Sequence, residues 1–256
     1  MTAPIPRDLP DLPAIPRTHR LLPSFVPASA VVPPVRRPLA GVLRLLIAAT
    51  AAAGVTLALL LGSPLRILSH FAVQSSILLA LVTALSARRV WTGRRPVPTA
   101  WTGAALLYVV ITGLVHQLLL ADAARPFSVT GTAGAPTGWH AVAGHLLHTV
   151  TPVAAVLDWL LLTPPGRLRL RQAAPWLLYP LAYLAFSLLR AEVITPDTPG
   201  RYLYPFLDAA AHGYKDTLAN ALLLGLSFYA LAIVLVALDH ARPSPIRHRA
   251  KTGFRL

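Results

Sequence analysis

Six long apolar runs, separated by short polar loops, constrain the fold of this chain more than any other feature. A helix needs about 20 apolar residues to cross the roughly 30 Å of bilayer hydrocarbon. Backbone groups left unpaired in hydrocarbon cost several kcal/mol, so each run must be helical and each loop must lie outside it. We therefore predict an all-α fold, a polytopic membrane bundle of six transmembrane helices, at approximately residues 38–61, 70–87, 98–120, 139–162, 175–189 and 214–238.

The composition excludes several classes of function. The chain is 55% hydrophobic and 12% charged, about half the charged fraction of an average soluble domain. Its net charge of +14 is divided into short pieces between the apolar runs, so we predict no nucleic-acid partner. The chain has no cysteine, which excludes disulfides, iron–sulfur clusters and thiolate zinc sites, and we predict no cofactor.

The two ends of the chain differ in composition from the apolar domain between them. Residues 1–37 hold nine prolines and show no apolar period, which predicts a disordered cytoplasmic tail. A partner-binding proline segment is the alternative interpretation of this tail. The transmembrane domain then covers residues 38–240, with an uncleaved first span, and residues 241–256 form a short basic cytoplasmic tail.

The distribution of arginine and lysine predicts the orientation. The tails and the second and fourth loops share one side and carry seventeen of these residues, whereas the opposite side carries five. The positive-inside rule therefore places both termini in the cytoplasm. Arg44 lies inside the first run, and we expect it to reach the headgroups rather than to serve a site. Asp158 and Asp239 are expected to do the same or to pair with loop arginines.

With this orientation, polar residues gather in the outer halves of four runs. Ionisable groups in a bilayer normally face the interior of a bundle or a wet cavity. We therefore predict one polar pocket open to the outer side and without a bound metal. It would be built from Gln74, Ser75, Ser76, His116, His140, His145, His148, Asp208, His212, Asp216 and Asn220.

Two spacings sharpen this prediction. His145 and His148 are three residues apart, so they share a helix face, and Pro152 removes the backbone donor to the carbonyl of His148. Asp208, His212, Asp216 and Asn220 recur every four residues and form a stripe if the sixth helix begins early. Gly213 would interrupt that stripe.

Three functional interpretations are open at this point. His148 or His145 could act as a general acid–base, since imidazole titrates near neutral pH. The same two histidines could bind a metal with His116, His212 or Asp216, although an H-x-x-H pair alone is a weak metal signal. The polar residues could instead line an ion pathway. The structural alternative is hydrogen bonding between helices, worth about 0.6–2 kcal/mol for each bond.

Four segments resemble a known family. "FAVQSSILLALV" (71–82), "HLLHTVTPVAAVLDWLL" (145–161), "WLLYPLAYLAFSLLR" (176–190) and "YPFLDAAAHGY" (204–214) resemble, in order, the prokaryotic six-span Pr-six-Pr membrane proteins. That family is distantly similar to the animal androgen-induced and androgen-dependent TFPI-regulating proteins. Those proteins are hydrolases that cleave fatty acid esters of hydroxy fatty acids with a membrane threonine and a histidine.

The resemblance implies a site and a location. The catalytic histidine falls on His148, with His145 beside it, and the threonine position falls on Ala72, which has no hydroxyl. Ser76, one helical turn later, is then the candidate nucleophile. The resemblance thus implies a hydrolase of membrane lipids or lipid-like esters in a bacterial cytoplasmic membrane. A catalytically inactive lipid- or partner-binding protein and a small transporter are the alternatives.

Overall fold

The structure is a bundle of six long helices, as the apolar runs predict. The computed structural model describes residues 37–120, 129–130, 137–196, 198 and 200–243, and these residues form helices and loops without a strand. The predicted disordered tail, apart from Arg37, and nearly all of the predicted basic tail lie outside the described residues. The six helices, each long and apolar enough to cross a membrane, are α1 (Pro38–Leu61), α2 (Phe71–Trp91), α3 (Thr99–Leu120), α4 (Gly138–Leu162), α5 (Leu170–Val193) and α6 (Ala209–Ala241).

The limits of α5 and α6 differ from the predicted ones for local reasons. α5 begins earlier, because a 3₁₀ turn (Leu170–Gln172) and a short helix (Ala173–Trp176) precede its main helix (Leu178–Val193). α6 also begins earlier, because Asp208 caps it by accepting hydrogen bonds from the amides of Ala210 (3.1 Å) and Ala211 (3.0 Å).

Glycines let the helices of the bundle approach one another closely. α1 packs along α2 and α4, and α3 packs between α2 and α4. A Cβ atom at Gly54 of α1 would lie 3.1 Å from Leu146, and one at Gly113 of α3 would lie 3.1 Å from Pro152. Small residues serve this purpose at helix interfaces in membranes, where lipid and side chains are equally apolar.

Arg44 pairs with an acid on another helix. Its Nε donates to Asp158 Oδ1 at 2.8 Å, and its Nη2 donates to Thr163 Oγ1 at 3.3 Å. Both charged side chains are largely buried. Arg44 and Asp158 therefore form an ion pair that joins α1 to α4, so Asp158 pairs with an arginine of the first helix rather than with a loop arginine.

Asp239 is fully buried near the end of α6, and its carboxylate accepts hydrogen bonds from several groups. Its carboxylate accepts hydrogen bonds from the Trp159 indole (3.1 Å) and from the backbone amides of Arg167 (2.7 Å) and Leu168 (2.8 Å). It also pairs with Arg242. This one side chain therefore joins the end of α6 to α4 and to the loop that leads into α5.

Replacing Asp239 with Asn is expected to destabilise the fold strongly. The change leaves the Arg242 charge without its counter-ion, and an amide group cannot accept from every donor that now surrounds the carboxylate. Breaking a buried pair in this way costs about 3–5 kcal/mol. Thermal unfolding in nanodiscs should show a clearly lower Tm for Asp239→Asn than for Asp216→Asn, whose parent side chain is exposed. Equal Tm values would show that the network contributes no stability.

Candidate functional site

A cavity of about 560 Å³ lies among α2, α3, α4, α5 and α6. Its wall consists mainly of leucine, other aliphatic and phenylalanine side chains, so it is apolar rather than the polar pocket that the sequence predicts. Its volume falls within the range of roughly 300–1,000 Å³ that is usual for ligand pockets. The polar side chains in its lining are Thr112, His148, Tyr183, Tyr204 and Tyr229.

His148 reaches this cavity from an irregular stretch of α4. It lies about 15 Å along the helix from Gly138, well inside the ends of the span. Pro152 has no N–H for the carbonyl of His148, and the helix widens into a π turn at Leu146–Val150. Such single π turns occur frequently at functional sites.

The hydrogen bond of His148 fixes its tautomer. Its Nδ1 lies 3.0 Å from the carbonyl oxygen of Gly144. A carbonyl can only accept, so Nδ1 carries the proton and Nε2 of the neutral ring carries the lone pair. His148 is only 7% exposed, and an unpaired cation at this depth is costly, which favours the neutral ring. Nε2 is therefore the ring nitrogen left to act as a base toward a molecule in the cavity.

His116 and His145, two of the histidines near His148, differ from it in environment. The His116 ring stacks on the His148 ring, with centroids 4.2 Å apart and planes 25° apart, and His116 is half-buried. His145 is exposed, although it lies three residues before His148. No cluster of three or more His, Cys, Asp or Glu side chains in the described part of the chain is placed to hold a metal ion.

The start of α2 contributes Ala72 to the cavity wall. Ser75 donates to the Ala72 carbonyl (3.0 Å) and hydrogen-bonds Thr112 (2.9 Å), so it joins α2 to α3. Ser76 is fully buried outside the cavity lining, and its hydroxyl has no hydrogen-bond partner among the described residues. Gln74 accepts from the Tyr179 hydroxyl at 2.7 Å. Of these α2 positions, only Ala72 faces the cavity.

The predicted polar stripe of α6 lies away from the cavity. Asp208 is the N-cap of the helix, and His212, Asp216 and Asn220 are exposed. Gly213 has a positive φ of 77° within α6, a conformation that favours glycine, and this residue breaks the helical register. The four side chains therefore do not join His148 in one pocket.

Sequence reasoning missed His70 and Tyr204, whose rings meet edge to face with centroids 6.2 Å apart. His70 precedes α2, and its Nδ1 donates to the Arg66 carbonyl at 2.9 Å. The pKa of His70 is lowered to about 4, chiefly by burial and in part by the nearby charges of Arg66 and Arg190. Burial raises the pKa of Tyr204, which lines the cavity, to about 12. Both are therefore neutral at neutral pH.

Thr112, which also lines the cavity, was missed as well. Its position four residues before His116 places both on one face of α3 and is a signal that could have identified it. The Thr112 hydroxyl donates to the Tyr108 carbonyl at 3.0 Å and meets Ser75. Its hydrogen-bonding capacity is therefore engaged within the protein.

Comparison with protein-family models, with curated proteins and with solved structures finds no match to this chain.

Proposed function

We propose that this integral membrane protein hydrolyses a membrane lipid or lipid-like ester within the cavity, with His148 as general base. The observation that carries the proposal is the position of His148 in an apolar cavity among membrane-spanning helices. The apolar wall suits an acyl chain, and His148 is the one imidazole among the lining side chains, so its Nε2 lone pair is the base available in the cavity. No cofactor is needed for this reaction.

The reaction uses water as the nucleophile. Ala72 has no hydroxyl, Ser76 lies outside the cavity lining, and the Thr112 hydroxyl already donates to a carbonyl. As the oxygen of a water molecule bonds to the ester carbonyl carbon, one water proton moves to His148 Nε2. The tetrahedral intermediate then breaks its bond to the alcohol oxygen, which takes the proton back from Nε2. The products are a fatty acid and an alcohol.

The resemblance to the six-span family agrees with this assignment. Two positions that the resemblance singles out, those of the histidine and the threonine, fall on His148 and Ala72, and both residues line the same cavity. The presence of alanine at the second position favours water over a side-chain hydroxyl as the nucleophile.

Ala72 also favours a second candidate function, which is lipid binding without chemistry. The cavity wall has an inert methyl group at the position where the resemblance implies a threonine hydroxyl. Under this alternative, the protein retains a lipid and does not turn it over. The following variants distinguish the two functions.

Replacing His148 with Gln is expected to lower ester hydrolysis by about 10²–10⁴-fold, the usual contribution of a general base. Glutamine keeps the side chain polar but cannot take the proton from water. The rate is measured in nanodiscs with a fatty acid ester of a hydroxy fatty acid. His145→Gln is the control, because His145 is exposed and only three residues away. If the wild type and His148→Gln hydrolyse the ester at equal rates, the catalytic assignment is refuted. If the wild type does not hydrolyse the ester, lipid binding without chemistry remains as the proposed function.

Replacing Gly225 with Leu tests whether the cavity holds a lipid. Gly225 lines the cavity, and an added Cβ would meet no atom within 4 Å, so the new side chain enters open space. We expect native mass spectrometry to show much less retained lipid at an unchanged Tm. Ser227→Leu is the control, since it adds the same side chain to an exposed face of the same helix. Equal lipid retention in the two variants would contradict binding in this cavity.

The arginine and lysine distribution favours an orientation with both termini in the cytoplasm, and the resemblance implies a bacterial cytoplasmic membrane. The chain has no cysteine, so single-cysteine variants report the accessibility of one site each. In intact cells, a membrane-impermeant maleimide should label Thr137→Cys and should label Thr92→Cys only after lysis. The reverse pattern would invert the orientation.

A further inference from the structure

One wall of the cavity is also part of the outer surface of the bundle. Leu222 and Leu226 of α6 and Leu181 of α5 all line the cavity. The same residues are 66%, 60% and 56% exposed. A side chain that lines a cavity and is more than half exposed lies at an opening. The cavity therefore has an opening between α5 and α6.

This opening faces hydrocarbon rather than water. α5 and α6 are both long and apolar enough to cross a membrane. Leu222 lies about 12 Å along α6 from Tyr214, where the regular helix resumes after Gly213, and about 28 Å from Ala241, so it is well inside both ends. Side chains at this depth on a spanning helix are surrounded by lipid acyl chains.

We propose that the substrate reaches His148 sideways from the bilayer, acyl chain first, through the opening between α5 and α6. The proposal rests on the proposed function and specifies its substrate class: a lipid already dissolved in the membrane, not an ester taken up from water. The sequence predicts a pocket open to the outer side, whereas this opening is directed into the membrane.

The dimensions favour an acyl chain over a helix of another protein as the occupant. A helix with its side chains is roughly 10–12 Å wide. A cavity of about 560 Å³, shared among five helices, is too small to admit one. A single flexible chain fits such a space, and its carbonyl group can then approach His148.

Photocrosslinking at two adjacent positions tests this proposal. Leu222 and Leu223 are almost equally exposed, at 66% and 65%, but only Leu222 lines the cavity. Each is replaced in turn by the photoreactive residue benzoylphenylalanine in the full chain. The protein is washed in detergent to remove surrounding lipid and is then irradiated. We expect the retained lipid to crosslink several-fold more at position 222 than at position 223, as read by mass spectrometry.

The other outcomes separate this proposal from the proposed function. If lipid is retained but crosslinks equally at both positions or at neither, access between α5 and α6 is refuted while the proposed function stands. If neither the wild type nor the variants retain any lipid, lipid binding in the cavity is refuted, and the proposed access between α5 and α6 is refuted as well.

Discussion

The buried carboxylate of Asp239 illustrates the constraint on which the rest of this structure depends. A bilayer supplies no hydrogen-bond partners, so each polar group within it must find a partner in the protein or remain costly. Asp239 meets this requirement with an indole, two backbone amides and Arg242. Arg44 and Asp158 meet it with each other. These contacts join α1, α4 and α6 and the loop before α5, where apolar packing alone gives little preference for one helix neighbour over another.

The same constraint determines what His148 can do. Its Nδ1 donates to its own helix, which leaves one nitrogen of the neutral ring with a lone pair beside an apolar cavity. A base surrounded by hydrocarbon keeps this lone pair available, because few donors compete for it. The buried charges of Arg44, Asp158 and Asp239 are therefore held in ion pairs away from the cavity, whereas the cavity wall contains the uncharged imidazole of His148.

The fold could be predicted from the sequence because the length of an apolar run and the bilayer thickness together determine a helix. The limits of α5 and α6 could not, since they depend on a 3₁₀ turn and on the cap formed by Asp208. The sequence predicts a deep position for His148 within the fourth helix, and His148 is buried and lines the cavity. Which face of each helix meets the cavity depends on packing, which the spacing of residues does not determine, although the expected interruption of the α6 stripe at Gly213 is confirmed. For that reason the α6 stripe and Ser76 could not be placed from sequence.

Ala72 connects the shape of the cavity with its chemistry. A hydroxyl at this position would lie in the wall that His148 also lines, whereas the next hydroxyl on the same helix face, that of Ser76, is buried in the protein. Alanine at this position therefore leaves this part of the apolar wall without a hydroxyl. The apolar wall comes from α2, α3, α5 and α6 and the loop before α6, whereas His148 comes from α4. The proposed route between α5 and α6 admits only molecules that are already in the bilayer, because both helices are long and apolar enough to cross it.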